Sequence, residues 1–236
     1  MEYVKKNPLT SFFVISYLIT VICVVGMYVL RYVGGFSIVE NALFLISVTS
    51  PTIAATMLAG LNGGLDEIKK LYSSILKWKV NPFYFIAGFA LMIVPLIIGI
   101  LYLLLGGEIT GSSPATGFTM DVFLLGLIAN LYWGPLSEEL GWRGYVLPKL
   151  ESRYSALYSS ILIGVLWASW HLPFYLVEER TPYYIYFPLV IALTILFTWA
   201  FNNTGGSTLV AVVFHFSFNF TGRFITNPNA FNLMPV

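Results

Sequence analysis

The side chains in this sequence that could do chemistry are few and regularly spaced. Leu136 to Arg143 holds two adjacent carboxylates, Glu138 and Glu139, and a guanidinium, Arg143, four residues beyond the second. The only two histidines, His171 and His215, lie further on inside apolar segments, each at a four-residue spacing from a polar or aromatic partner, Trp167 before the first and Asn219 after the second. Charged and imidazole groups in or near hydrocarbon are costly, so their presence there points to function. A carboxylate, two imidazoles and an amide can activate water and stabilise developing negative charge, and this is read as a membrane-embedded hydrolase with a site assembled from several helices.

The elements that must position these groups follow from composition. Hydrophobic residues make up 58% of the 236 positions and charged residues 10%, with a mean hydropathy of +0.81. That excludes a soluble domain with a polar exterior and predicts an all-α, polytopic membrane protein forming a single domain over residues 1–236. At roughly 20 residues per span the length accommodates about seven transmembrane helices. The net charge of +1 and the lack of a basic stretch interleaved with aromatics argue against nucleic acid. Cys23, alone in an apolar span, reads as a small core residue and leaves no disulfide.

The expected spans are about 9–32, 38–61, 82–105, 118–139, 155–177, 183–201 and 207–224, with a kink at Pro51 in the second. The first is read as a retained span rather than a signal peptide, because it is long and lacks a small-residue cleavage pattern. Between the second and third, Leu65, Ile68, Leu71, Tyr72, Ile75 and Leu76 recur at helical spacing among Asp66, Glu67, Lys69, Lys70, Lys77 and Lys79. This predicts an interfacial amphipathic helix over 65–79. A Gly, Ser and Pro-rich loop is expected over 106–117. With a cytoplasmic N-terminus, nine of the 12 Lys and Arg residues fall on the inner side and only Arg31, Arg180 and Arg223 on the outer side. The chain is therefore expected in the cell membrane with its N-terminus cytoplasmic. Asp121, Glu178 and Glu179 read as outer-interface charges.

Depth and helical phase bring the polar groups together. At 1.5 Å per residue His171 lies roughly 15 Å and His215 roughly 13 Å from the inner ends of their spans, with Glu138 a little shallower. Glu139 and Arg143 share a helix face, as do Trp167 and His171, and His215 and Asn219. The indole of Trp167 is expected as a wall beside His171.

The order Glu-Glu-x-x-x-Arg, aromatic-x-x-x-His, His-x-x-x-Asn over about 130–223 resembles the CPBP or Abi membrane proteases, which include the type II CAAX prenyl endopeptidases. The motif-bearing core spans about 118–224. Trp167 stands where that family often has phenylalanine, and no span follows the second histidine as in some relatives. The resemblance implies an intramembrane endopeptidase acting on a peptide or protein substrate at the lipid bilayer, prenylated in some relatives. Glu138 would be the base, His171 would hold or share the water, and His215 and Asn219 would donate to the oxyanion. Glu139 and Arg143 would orient the first glutamate and position substrate. No cofactor is expected. Zinc held by Glu138, His171 and His215 is the alternative, since two histidines and a carboxylate form a catalytic ligand set; the resemblance and the amide of Asn219 favour metal-free catalysis.

Other classes use the same residues differently. Haem ligation by the two histidines would leave Glu138 without a role, and a non-catalytic scaffold would tolerate its loss. Asn219 could bond across helices as packing glue, and Glu139 with Arg143 could be a structural ion pair. Aromatics such as Trp170, Phe174 and Phe214 read as core or lipid-facing. A transporter would be expected to show a repeat in its two halves, and none is seen.

Overall fold

The computed structural model describes residues 2–34, 37–106, 120–177 and 182–226, and every regular element among them is helical. Helices satisfy backbone N–H and C=O groups internally, which a bilayer requires. In chain order they are α1 (Glu2–Lys6), α2 (Pro8–Tyr32), α3 (Ser37–Ser73), α4 (Phe83–Ala90), α5 (Ile93–Leu104), α6 (Met120–Leu131), α7 (Ser137–Glu139), α8 (Leu147–Glu151), α9 (Ala156–Trp170), α10 (Tyr183–Asn203) and α11 (Thr208–Thr226). Wider π-type turns join α6 to α7 and α7 to α8, and tight 3₁₀ turns follow α3 and α9.

This is the polytopic helical architecture expected, with differences at particular points. Among the described residues five stretches are long and apolar enough to cross a membrane: Pro8–Tyr32, Ile38–Leu76, Phe83–Leu104, Ala156–Leu176 and Tyr183–Asn203. The count of seven drawn from the sequence treated 118–139 as one unbroken helix, and the structure breaks it. Trp133 (φ −79°, ψ 82°) and Gly134 (φ 121°, ψ −79°) leave helical geometry just before Pro135. A proline disfavours the helical region for the residue before it, and only glycine readily takes the positive φ found there. The other shorter stretch is α11, apolar over Thr208–Thr221.

α3 also has a break that the sequence reading did not place. Pro51 lies inside α3, whose non-helical residues are Gly63 and Gly64. The carbonyl four residues earlier, on Ser47, loses its helical donor to the proline and accepts from Thr20 Oγ1 of α2 instead. The glycine break separates an amphipathic arm from the span; the arm begins at Leu65 as expected but ends with the 3₁₀ turn Ser74–Leu76, short of Lys79. Of the other expectations, the loop over 107–117 and Glu178, Glu179 and Arg180 lie outside the described residues, as do the side chains of Asp121 and Arg223.

α2 packs along α3, α9 along α10, and α11 against α4, α5 and α10. Cys23 is buried, as expected of a core residue. The core gathers Phe12, Met27, Leu58, Trp142, Trp170, Phe197 and Phe214, all essentially inaccessible. Outward-facing apolar side chains cover whole faces, among them Ile97, Ile98, Leu101 and Leu104 of α5. Faces of that extent mark a surface made for hydrocarbon rather than water.

Polar contacts sort the helix ends into two groups. At one end Lys6 and Asn7 share a cleft with Lys149 and Arg153, Asn202 Nδ2 donates to Glu151 Oε1 at 2.6 Å, and Lys77 Nζ donates to the Gly205 carbonyl at 2.8 Å. At the other, Arg31 bonds the Val177 carbonyl and pairs with Glu40 at 3.5 Å. Four of the residues assigned to the inner side from charge, Lys6, Lys77, Lys149 and Arg153, thus lie at one end of the helices. Cysteines substituted at Lys6, Arg153 and Asn202 are expected to react with a membrane-impermeant maleimide from the same side of oriented vesicles, and one at Tyr32 from the opposite side. Buried Cys23 gives little background.

Candidate active site

The break at Trp133–Gly134–Pro135 builds the site. It ends α6 and restarts the chain as α7, which carries Glu138 and Glu139, both buried. Gly134 N–H donates to Ser137 Oγ at 3.1 Å, while that hydroxyl lies 3.3 Å from the Gly134 carbonyl, so one serine braces the bend. Downstream, Gly141 sits where any Cβ would lie 2.7 Å from the Pro51 backbone. The segment bearing Glu139 and Arg143 is thereby seated directly on α3.

Gly134 also measures the convergence of the catalytic-type groups. A Cβ placed on it would lie 3.1 Å from Asn219 Nδ2, 3.2 Å from His215 Nε2 and 3.4 Å from Glu138 Oε1. Three polar atoms from α7 and α11 therefore surround one point, and glycine keeps that point clear. His215 and Asn219 reach it together because they are one helical turn apart on α11, as their spacing predicted.

Glu138 is 3% exposed. Trp167 Nε1 on α9 donates to its other oxygen, Oε2, at 2.5 Å. The indole thus contributes a donor to the carboxylate, a role the sequence reading missed in treating it as a wall. Its ring also stands edge-on to His215, with centroids 5.2 Å apart, and tilted against His171 at 5.8 Å. Trp167 is the contact shared by all three groups.

Each histidine has its Nδ1 committed. In His171 that nitrogen lies 2.9 Å from the Trp167 carbonyl, one turn back. A carbonyl only accepts, so Nδ1 carries the proton and the neutral ring has its lone pair on Nε2. Trp170 and Tyr186 pack edge-on to this ring, with centroids at 4.7 and 5.3 Å. In His215, Nδ1 donates to Glu139 Oε1 at 2.8 Å, which presents Nε2 toward Gly134.

Glu139 Oε1 also accepts from Arg143 Nη1 at 2.9 Å, and both side chains of that pair are fully buried. The expected Glu139–Arg143 pairing is present, and it is turned toward His215. The guanidinium lies over the rings of Trp167 and Phe197, 4.9 and 5.0 Å from their centroids. Its Nε and Nη2 have no hydrogen-bond partner among the described residues, so the ring faces stand in part for solvent. Burial pulls the Arg143 pKa below its ordinary value, while Glu139 and then Glu138 push it back up. Phe197 was not singled out from the sequence, and nothing in its local context marks it. The Gly134–Pro135 dipeptide inside an apolar run was the available signal for the bend.

Among the described residues no group of three or more His, Cys, Asp or Glu side chains has the spacing to hold a metal ion. Since both Nδ1 atoms are engaged, a metal would have to be reached through the two Nε2 atoms and Glu138.

The Arg143–Glu139 pair is fully buried, so removing one partner strands the other charge. Glu139→Ala leaves the guanidinium buried without its counter-charge and is expected to cost about 3–5 kcal/mol. Thermal unfolding of the detergent-solubilised protein checks this, with Glu139→Gln expected to lose less because it still accepts from both donors.

Residues 119–221 match the family model described as type II CAAX prenyl endopeptidase Rce1-like. A protein named CAAX prenyl protease 2, from Methanococcus maripaludis, is 28% identical over 233 residues, covering 92% of this chain and 83% of that protein. The matched region contains the bend at Gly134, both carboxylates, Arg143, Trp167, both histidines and Asn219. With three motifs in order, and the side chains of Glu138, His215 and Asn219 gathered in one buried site, residues 119–221 of this integral membrane protein are similar to the Rce1-like family of type II CAAX prenyl endopeptidases.

Proposed function

We propose that the protein is an intramembrane endopeptidase that hydrolyses a peptide bond in a membrane-associated, prenylated substrate by metal-free, glutamate-based catalysis. The observation that carries this reading is the convergence of Glu138 Oε1, His215 Nε2 and Asn219 Nδ2 within 3.4 Å of one point at Gly134. The prenylated substrate class is taken from the name of the relative, CAAX prenyl protease 2. The predominance of basic residues on the surface that carries Lys6 and Arg153 supports a cytoplasmic N-terminus in the cell membrane.

In this mechanism a water sits between Glu138 and Nε2 of His171. Glu138 takes its proton as the oxygen attacks the scissile carbonyl carbon, and Trp167 steadies the carboxylate from the other oxygen. The carbonyl π electrons move onto oxygen, where Asn219 Nδ2–H and a protonated His215 Nε2–H donate to the oxyanion. Glu139 holds His215 by Nδ1 throughout and, anchored by Arg143, balances the imidazolium charge, as the carboxylate of a catalytic triad does. The C–N bond then breaks as Glu138 returns its proton to the leaving amine.

A burial this complete suits hydrolysis because a dry, preorganised site makes each donor worth more than it would be in water. Zinc on Glu138, His171 and His215 is the competing reading, and it calls for a metal-dependent reaction. Purified protein is expected to cleave a prenylated peptide equally well with and without a strong chelator. Glu138→Gln is expected to abolish cleavage while circular dichroism and elution volume stay unchanged. Activity lost to the chelator and restored by zinc would sink the metal-free mechanism, and a fully active Glu138→Gln would sink the assignment of the base. Asn219→Ala is expected to lower kcat about 100- to 1,000-fold with little change in KM, as for loss of one oxyanion donor. Steady-state kinetics on the same peptide measures it.

A further inference from the structure

We propose that a basic cleft where α1 and α2 meet the link between α8 and α9 binds the phosphate of an anionic membrane phospholipid. The cleft, of about 160 Å³, is lined by Lys6, Asn7 and Thr10 from one end of the chain and by Lys149, Ser152 and Arg153 from the other side. Three cations and two hydroxyls from stretches some 140 residues apart are brought together there, and no carboxylate among the described residues lines it.

The cations differ in how they are held. The Lys149 ammonium rests over the Tyr145 ring at 3.7 Å, which fixes it at the wall. Lys6 is paired with Glu2 at 2.9 Å, but both side chains are largely exposed, at 72% and 84%, so this partner is readily exchanged. Arg153 is exposed and has no ion-pair partner among the described residues. Glu67 acts on Lys149 only at longer range, opposed by Lys70. The balance at the cleft is positive, which suits a phosphate.

Its position selects a lipid rather than a free anion. The cleft lies at the end of one membrane span, Pro8–Tyr32, and just ahead of another that begins at Ala156. Tyr154 and Tyr158 are exposed beside it, as aromatic side chains are at headgroup depth. Further along the same two helices Leu157, Ile161, Val14 and Leu18 face outward. A phosphate seated among the cations would therefore have apolar surface directly below for its acyl chains. Basic side chains at a membrane surface attract anionic lipid on the order of fivefold per cation.

Native mass spectrometry of the full chain in detergent, with phosphatidylglycerol and phosphatidylcholine in equal amounts, tests the site. Retained adducts are expected to favour phosphatidylglycerol. The preference should fall about fivefold in Arg153→Gln, whose exposed side chain is not needed for folding, and further in Lys149→Gln/Arg153→Gln. Lys69→Gln, a basic position outside the cleft, should leave it unchanged. Equal retention of the two lipids, or a preference that survives the double variant, would overturn the proposal. Inorganic phosphate is expected to compete only weakly, and displacement of the lipid by comparable concentrations of phosphate would overturn the lipid assignment in favour of a free-anion site.

Discussion

One carboxylate oxygen, Glu139 Oε1, accepts from Arg143 and from His215 in the buried interior, and the arrangement of the site depends on it. A guanidinium with no exposed surface is tolerable only with a counter-charge, and here the counter-charge also fixes the orientation of a histidine on another helix. The covering rings of Trp167 and Phe197 keep water away from this pair. Removing solvent is costly for the charges but makes the remaining hydrogen bonds specific and strong. α7, α9, α10 and α11 are thus held in register by a contact that a purely apolar bundle would lack.

The second constraint is the backbone bend at Gly134. A continuous helix would carry Glu138 past α11 on whatever face its phase dictated. Proline at 135 and glycine at 134 stop that helix, and the Ser137 hydroxyl braces the turn. The cleared volume is bounded by donors and acceptors rather than methyl groups, so polar chemistry can take place amid apolar helices. Irregular backbone at membrane depth is tolerated where protein encloses it, and Gly134 is buried. Architecture and reactivity share a cause here, because the residue that breaks the helix also vacates the space.

Much of this was legible in the sequence. The membrane class followed from the scarcity of charge, and the approach of Glu138, His215 and Asn219 followed from spacing and depth, with His171 reached through Trp167. The relation of Glu139 to Arg143 was visible because four residues bring side chains onto one face. The break in the fourth expected span was missed because apolar content alone does not distinguish a straight helix from a bent one. The break at Gly63 and Gly64 was not placed because two glycines in an apolar-to-amphipathic transition fit a loop as well as a turn inside one helix.

What the sequence by itself determined was therefore the set of polar groups, their order and the solvent they must avoid, since these depend only on residue type and helical period. Tertiary structure alone decided which partner each group took: Trp167 as a donor to Glu138, Glu139 as the holder of His215, and Phe197 as a face for Arg143. Those choices depend on contacts between helices distant in sequence, where the direction of each side chain is set by packing and backbone bends and not by local periodicity.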